Sequence, residues 1–136
     1  MKRHSLAFFA ILLLLCVAVG CGGHVPMTGT VVFDDDGSPL THGVVILSTP
    51  TFQSRGELDS QGRFTMGSYG VADGLPPGTY GVAVVAVETI SDTLSYSLID
   101  PKYSNPEMSG LTLTIEGAIR NYEIRVERNP RPRPGG

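Results

Sequence analysis

The stretch Tyr80-Gly81-Val82-Ala83-Val84-Val85-Ala86-Val87-Glu88 decides the fold of this chain. It is the strongest strand signal in the sequence, rich in β-branched side chains and preceded by the turn-forming Pro76-Pro77-Gly78. A strand of an antiparallel sandwich usually shows one face to water and alternates apolar with polar residues. Here both faces are apolar from Gly81 to Val87, so something must cover the outer one. The neighbouring stretch 89–110 carries Leu94, Tyr96, Leu98, Ile99, Tyr103 and Met108. It is expected to fold back over the sheet; the other possible cover is a second copy or a partner protein.

Strands and turns recur on either side of this stretch, and no amphipathic helical stretch interrupts them. Upstream, 27–33 is a β-rich run ending in the turn residues Asp34-Asp35-Asp36-Gly37-Ser38-Pro39. The short apolar run 43–48 is bounded by Gly and Pro, as a well-buried strand would be. Segments 53–58 and 63–67 flank Asp59-Ser60-Gln61-Gly62, which reads as a hairpin turn with Gly62 at positive φ. Downstream, Leu111, Leu113 and Ile115 alternate with Thr112 and Thr114. Tyr122, Ile124 and Val126 alternate with Glu123, Arg125 and Glu127. The fold class expected is therefore all-β, a seven-stranded antiparallel β-sandwich.

Three segments together resemble the carboxypeptidase regulatory-like domain, a transthyretin-like (prealbumin-like) sandwich. They are Gly29-Thr30-Val31-Val32 with Asp36-Gly37-Ser38-Pro39-Leu40, then Asp59-Ser60-Gln61-Gly62-Arg63-Phe64, then Leu75-Pro76-Pro77-Gly78-Thr79-Tyr80-Gly81-Val82. The stretch from Asp100-Pro101-Lys102-Tyr103-Ser104 to Ser109-Gly110-Leu111-Thr112 resembles a segment of small bacterial lipoproteins of this type. The resemblance spans 27–128 and departs from the family at 67–74, where the usual domain passes more directly into the proline turn. It implies a non-catalytic module.

The N-terminus carries an address. Lys2 and Arg3 precede a run without charge from Leu6 to Gly20. That run is shorter than the roughly 20 residues of a membrane-spanning helix and matches the core of a signal peptide. Ala18-Val19-Gly20 followed by Cys21 resembles the lipobox of bacterial lipoproteins, with Ala18 where Leu is commonest. The resemblance implies a signal peptide over 1–20, cleavage before Cys21, and diacylglyceryl and acyl (palmitate-type) chains on that cysteine. Residues 21–26 would then be a lipidated cysteine and short tether. Of the two cysteines, Cys16 would be discarded and Cys21 modified, which leaves the mature domain without a thiol or disulfide. The formal net charge of −3 becomes −5 once Lys2 and Arg3 are removed, which argues against a nucleic-acid partner. At the other end, 129–136 is a Pro/Arg tail expected to be disordered or polyproline-like. Five arginines (Arg120, Arg125, Arg128, Arg131, Arg133) lie near it, and they suit either plain solvation or contact with lipid phosphates.

Candidate chemistry is sparse. Asp34, Asp35 and Asp36 are consecutive, whereas a calcium loop needs alternating oxygen ligands and a distal Glu. His24 and His42 with no thiol fall short of a zinc site, so no metal or other cofactor is expected. No serine lies in a nucleophile elbow, and the C-terminal Arg-Pro-Gly-Gly differs from the Tyr-Arg-Gly-Ser of the hydroxyisourate hydrolase that shares the fold. Tyr69, Tyr96 and Tyr103 fall in loops and could stack on sugars, although the chain has no Trp. The reading that follows is an exported cell-envelope lipoprotein attached to membrane lipid through Cys21. Its sandwich would serve a structural or protein-interaction role toward an envelope partner, in the periplasm or at the surface. A carbohydrate-binding module is the alternative, and a hydrolase of this fold the weaker one.

Overall fold

The computed structural model describes residues 23–130; residues 1–22, with Cys21 and the stretch expected to be a signal peptide, and residues 131–136 lie outside the described part. Nine strands form: β1 Met27–Phe33, β2 Val44–Ser48, β3 Gln53–Glu57, β4 Arg63–Thr65, β5 Gly78–Val85, β6 Val87–Ser91, β7 Leu94–Ser97, β8 Thr112–Ile115 and β9 Ile119–Val126. They make a three-stranded sheet in the order β4-β1-β9, a four-stranded sheet β3-β2-β5-β8, and a separate β6-β7 ribbon. The first two sheets share one core. Val31, Phe33, Phe64, Ile124 and Val126 come from one side, and Val45, Leu47, Tyr80, Val82, Val84 and Ile115 from the other. Burying each large apolar side chain of this kind stabilises the fold by about 1.5–3 kcal/mol.

The all-β reading holds, and the structure corrects its detail. There are nine strands where seven were expected, because the long apolar run does not continue to Glu88 as one strand. It leaves the sheet after Val85, and Val87–Ser97 turns back on itself as the β6-β7 hairpin. The sheets are also not wholly antiparallel, since β9 lies parallel to β1, with Val31 opposite Ile124 and Phe33 opposite Val126. A parallel pair needs a long crossover. Here most of the chain, from Phe33 to Ile119, supplies it.

The expected hairpin at 59–62 forms as a corner. Its carboxylate is the organiser: Asp59 accepts from the N–H groups of Gln61 and Arg63 at 2.8 and 2.9 Å, and Gly62 takes φ 75°. The two strands are bonded at their ends, where Asp59 N–H donates to Arg63 O and Arg55 exchanges two bonds with Gly67. Between those points they part, β3 pairing with β2 and β4 with β1. The corner thus carries the chain from one sheet to the other.

The stretch 89–110 folds back over part of the sheet's outer face. Ile99 and Tyr103 go into the core, at the end of the sandwich where the Tyr103 hydroxyl accepts from Glu127 N–H at 3.1 Å. Ser109 donates to Val82 O, and Pro106 lies over Gly81, where a Cβ would come within 3.1 Å of it. On the outer face of β5, Ala83 is buried and Gly81 and Val85 are half-buried. Val87 remains 48% exposed, and Leu94 and Met108 are exposed too.

Candidate functional site

Both long parallel strands run the same way, and this gives the sandwich two distinct ends. At one end Val25 exchanges two backbone bonds with Leu75, and Pro26 O accepts from Ile119 N–H at 3.0 Å. The β2–β3 turn with Phe52, the loop 67–74 and the Pro76-Pro77 turn gather here. At the other end lie the Asp34–Ser38 turn, the 59–62 corner, the β6-β7 ribbon and the close of β9. Eight residues of β9 separate the two ends by about 25 Å.

At the first end, the loop 67–74 is built around one carboxylate. Asp73 accepts from the N–H groups of Ser68, Tyr69 and Gly70 at 2.6, 3.1 and 2.9 Å. Ser68 Oγ donates to Gly74 O at 2.6 Å and closes the loop, while buried Ser54 Oγ donates to Gly67 O at 3.0 Å and fastens it to β3. The N–H donors, Ser68 first, hold the Asp73 carboxyl below the usual carboxylate range, with help from the nearby His24 and against some desolvation. Ala72 takes φ 60°, a conformation that non-glycine residues enter only when their surroundings impose it. The loop therefore has a defined shape, and that shape presents Tyr69 (84% exposed) and a fully exposed Val71 to solvent.

Tyr69 does not stand alone. The His24 ring stacks on it at 5.6 Å between centroids, with 21° between planes. Phe52 meets it edge-on at 6.2 Å and in turn meets Tyr80 at 6.4 Å. Tyr80 is anchored by donating its hydroxyl to Pro76 O at 2.7 Å, and burial pushes its pKa up. A continuous aromatic file therefore runs from the core to the exposed loop and ends on His24.

Beside the loop opens a cleft of about 890 Å³, lined among others by Arg55, Glu57, Asp59, Arg63 and Tyr69. It follows the line where β3 and β4 part into different sheets. Alternation along both strands sends Arg55, Glu57 and Arg63 outward, so the walls are charged. Asp59 is committed to the corner, and its donors hold its carboxyl below the usual range, Arg63 N–H contributing most. The arrangement suits polar or charged groups better than an apolar ligand.

Other residues singled out in the sequence are dispersed. Cys21 lies outside the described residues. His24 and His42 sit at opposite ends, His42 beside Gly43, whose backbone packs on Val85 and Ala86. Asp35 and Asp36 pair with Arg128 at 3.0 and 3.5 Å, and Asp36 also caps the Ser38 N–H and hydroxyl, which lowers its pKa. Arg128 further lies over the Phe33 ring at 3.7 Å, so the aspartate turn is tied to the end of β9. Among the described residues no group of three or more His, Cys, Asp or Glu could hold a metal ion. Tyr96 donates to Glu88 at 2.6 Å within the ribbon and Tyr103 is buried, so these two share no surface with Tyr69. Arg125 pairs with Glu123 at 3.0 Å, while Arg131 and Arg133 lie outside the described residues. Asn129, the first residue of the Pro/Arg tail, is bonded to Leu98 O and Ser97 O, both at 3.0 Å.

The sequence placed Tyr69 in a loop as a candidate stacking ring and marked 67–74 as a departure from the pattern it resembles, but the shape of the loop and the cleft beside it escaped the reading. The cleft exists because two adjacent strands join different sheets, which local sequence does not reveal. No protein-family model matches the chain, and no curated protein matches it either.

Proposed function

We propose that this chain is an exported lipoprotein, held to a membrane of the cell envelope by lipid on Cys21. Its folded part is then a non-catalytic sandwich of the transthyretin-like, carboxypeptidase regulatory-like kind that presents a rigid surface to an envelope partner. The observation that carries this reading is how closely the domain follows the cysteine. Val25 is already bonded to Leu75, and β1 begins at Met27. The tether expected over 21–26 is thereby shortened to the few residues before His24. A domain so near its lipid has little freedom to roam and suits a fixed station at the surface.

The family reading draws support from three places. Seven of the strands form the two sheets that share the core; Asp59-Ser60-Gln61-Gly62 makes a tight corner ending in a buried Phe64; and the Leu75–Gly78 turn leads directly into β5. The non-catalytic reading draws on the cleft, where the Asp59 carboxylate is committed to the corner by the N–H groups of Gln61 and Arg63 and is not left to act as a base. One observation favours the glycan alternative, the exposed Tyr69 ring at the edge of a cleft walled by Arg55, Glu57 and Arg63. A glycan screen with the wild type and Tyr69→Ala separates the two, because only a sugar site loses signal in the variant.

The test of the anchor is Cys21→Ala. Wild-type protein should fractionate with membranes and yield a mature chain with the mass of a lipidated cysteine. The variant should appear in the soluble fraction. If it stays with membranes, the lipoprotein reading fails.

A further inference from the structure

We infer that the loop 67–74 is a second, non-covalent membrane contact, in which Tyr69 and Val71 enter the headgroup layer of the bilayer that holds Cys21; this rests on the lipid-anchor reading above. The position of the loop relative to the cysteine carries the inference. Only Gly22 and Gly23 lie between Cys21 and His24, and these three residue steps reach at most about 11 Å in an extended chain. The His24 ring is stacked on Tyr69 at 5.6 Å. A lipid on Cys21 therefore holds the His24–Tyr69 stack near the bilayer surface, close enough for the ring to reach the headgroup region.

The chemistry of the tip fits that layer. Ser68-Tyr69-Gly70-Val71-Ala72 carries no charge, and the one carboxylate of the loop, Asp73, is occupied by three N–H donors. The tip shows the bilayer an amphipathic ring, the kind of side chain that concentrates at membrane interfaces, and beside it a fully exposed aliphatic group. Of the other exposed apolar side chains, Val87 and Leu94 belong to the β6-β7 ribbon at the opposite end, and Met108 lies in the Pro106–Ser109 segment that packs on Gly81 and Val82. The aromatic file through Phe52 to Tyr80 makes the contact stiff, so an inserted Tyr69 would set the tilt of the whole sandwich. Because the lipid already holds the loop at high local concentration, even a weak insertion is occupied most of the time.

The chain contains no tryptophan, so Tyr69→Trp and Leu94→Trp each introduce a single indole at a solvent-exposed site. The lipidated full-length proteins are placed in vesicles of phosphatidylethanolamine and phosphatidylglycerol, part of it brominated on the acyl chains. The indole at position 69 should shift to the blue and lose about half its emission to bromine, while that at position 94 should keep the emission of the water-exposed state. Adding Val71→Asp to the Tyr69→Trp protein should bring quenching down to the level of position 94, and Val71 has no packing to lose. If the proteins float with the vesicles but position 69 is quenched no more than position 94, the membrane contact is overturned and the anchor stands. If they carry no lipid and do not float, the anchor reading fails and takes this inference with it.

Discussion

Gly29 sits where β1 passes closest to both its neighbours. A Cβ there would collide with the Tyr122 carbonyl oxygen and come within 2.5 Å of the Phe64 ring. Backbone cannot give way as a flexible side chain can, so Gly29→Ala should cost about 1–3 kcal/mol and lower the melting temperature by roughly 5–15 °C. Calorimetry checks this, and an unchanged transition would mean that the β1–β9 spacing is wrong. Asp73 makes a different kind of prediction. Its folded pKa lies below its unfolded one, so the stability it confers is fully present above the ordinary carboxylate value of about 3.9. That stability is lost as pH falls through the folded value. Asp59 behaves in the same way. The urea midpoint should therefore be nearly flat from neutral pH to about 4.5 and fall below that, and the fall should be shallower in Asp73→Asn. Equal slopes in the two proteins would show that the loop contributes nothing to acid unfolding.

The elements differ in how firmly they are held. β5 is central, with β2 on one side and β8 on the other, and buried Ser109 finishes its edge by donating to Val82 O. Ser109→Ala leaves that carbonyl without this donor in a buried place, which should cost about 1–3 kcal/mol. Ser109→Thr should recover part of it, since the hydroxyl is kept. Denaturant unfolding of the two variants measures the difference. The β6-β7 ribbon is the opposite case. A two-stranded ribbon by itself is marginal in water, and this one is tied down by Leu98 N–H to Ala86 O and by Asn129. Its amides, such as Thr89 and Ser95, should exchange with solvent orders of magnitude faster than those of Val82 or Val45. Hydrogen exchange followed by mass spectrometry checks this. Protection equal to that of β5 would mean that the ribbon is covered by a second molecule.

At the scale of the whole molecule, the parallel pairing of β1 with β9 gives the sandwich a polarity. Both strands start at the end where the chain leaves residue 24 and finish at the end where it leaves residue 129. The Arg128 cluster with Asp35 and Asp36, and residue 129, are therefore about 25 Å from the end that holds residue 24. If Cys21 anchors the chain as proposed, the ribbon and residue 129 lie on the side away from the bilayer. The prediction is asymmetric reactivity. Maleimide on a cysteine introduced by Leu94→Cys should react equally fast in vesicle-bound and detergent-solubilised protein. The same label at Val71→Cys should react several-fold more slowly on vesicles. Equal rates at both sites would leave the molecule without a preferred orientation.

Local sequence determined a good deal. The all-β class, the position of most strands and the Asp59–Gly62 turn were legible from periodicity and turn chemistry. Each depends on interactions between residues close in the chain. The tertiary structure alone decided that β3 and β4 separate into different sheets, that β9 runs parallel to β1, and that the long apolar run leaves the sheet after Val85. These depend on which distant segment offers a strand its hydrogen-bonding partner, and an apolar strand reads the same whichever neighbour it has. The Tyr69 loop stands between the two cases. Its residues Ser68 and Asp73 hold the means of closing it, but only the fold brings His24 and Phe52 against the ring.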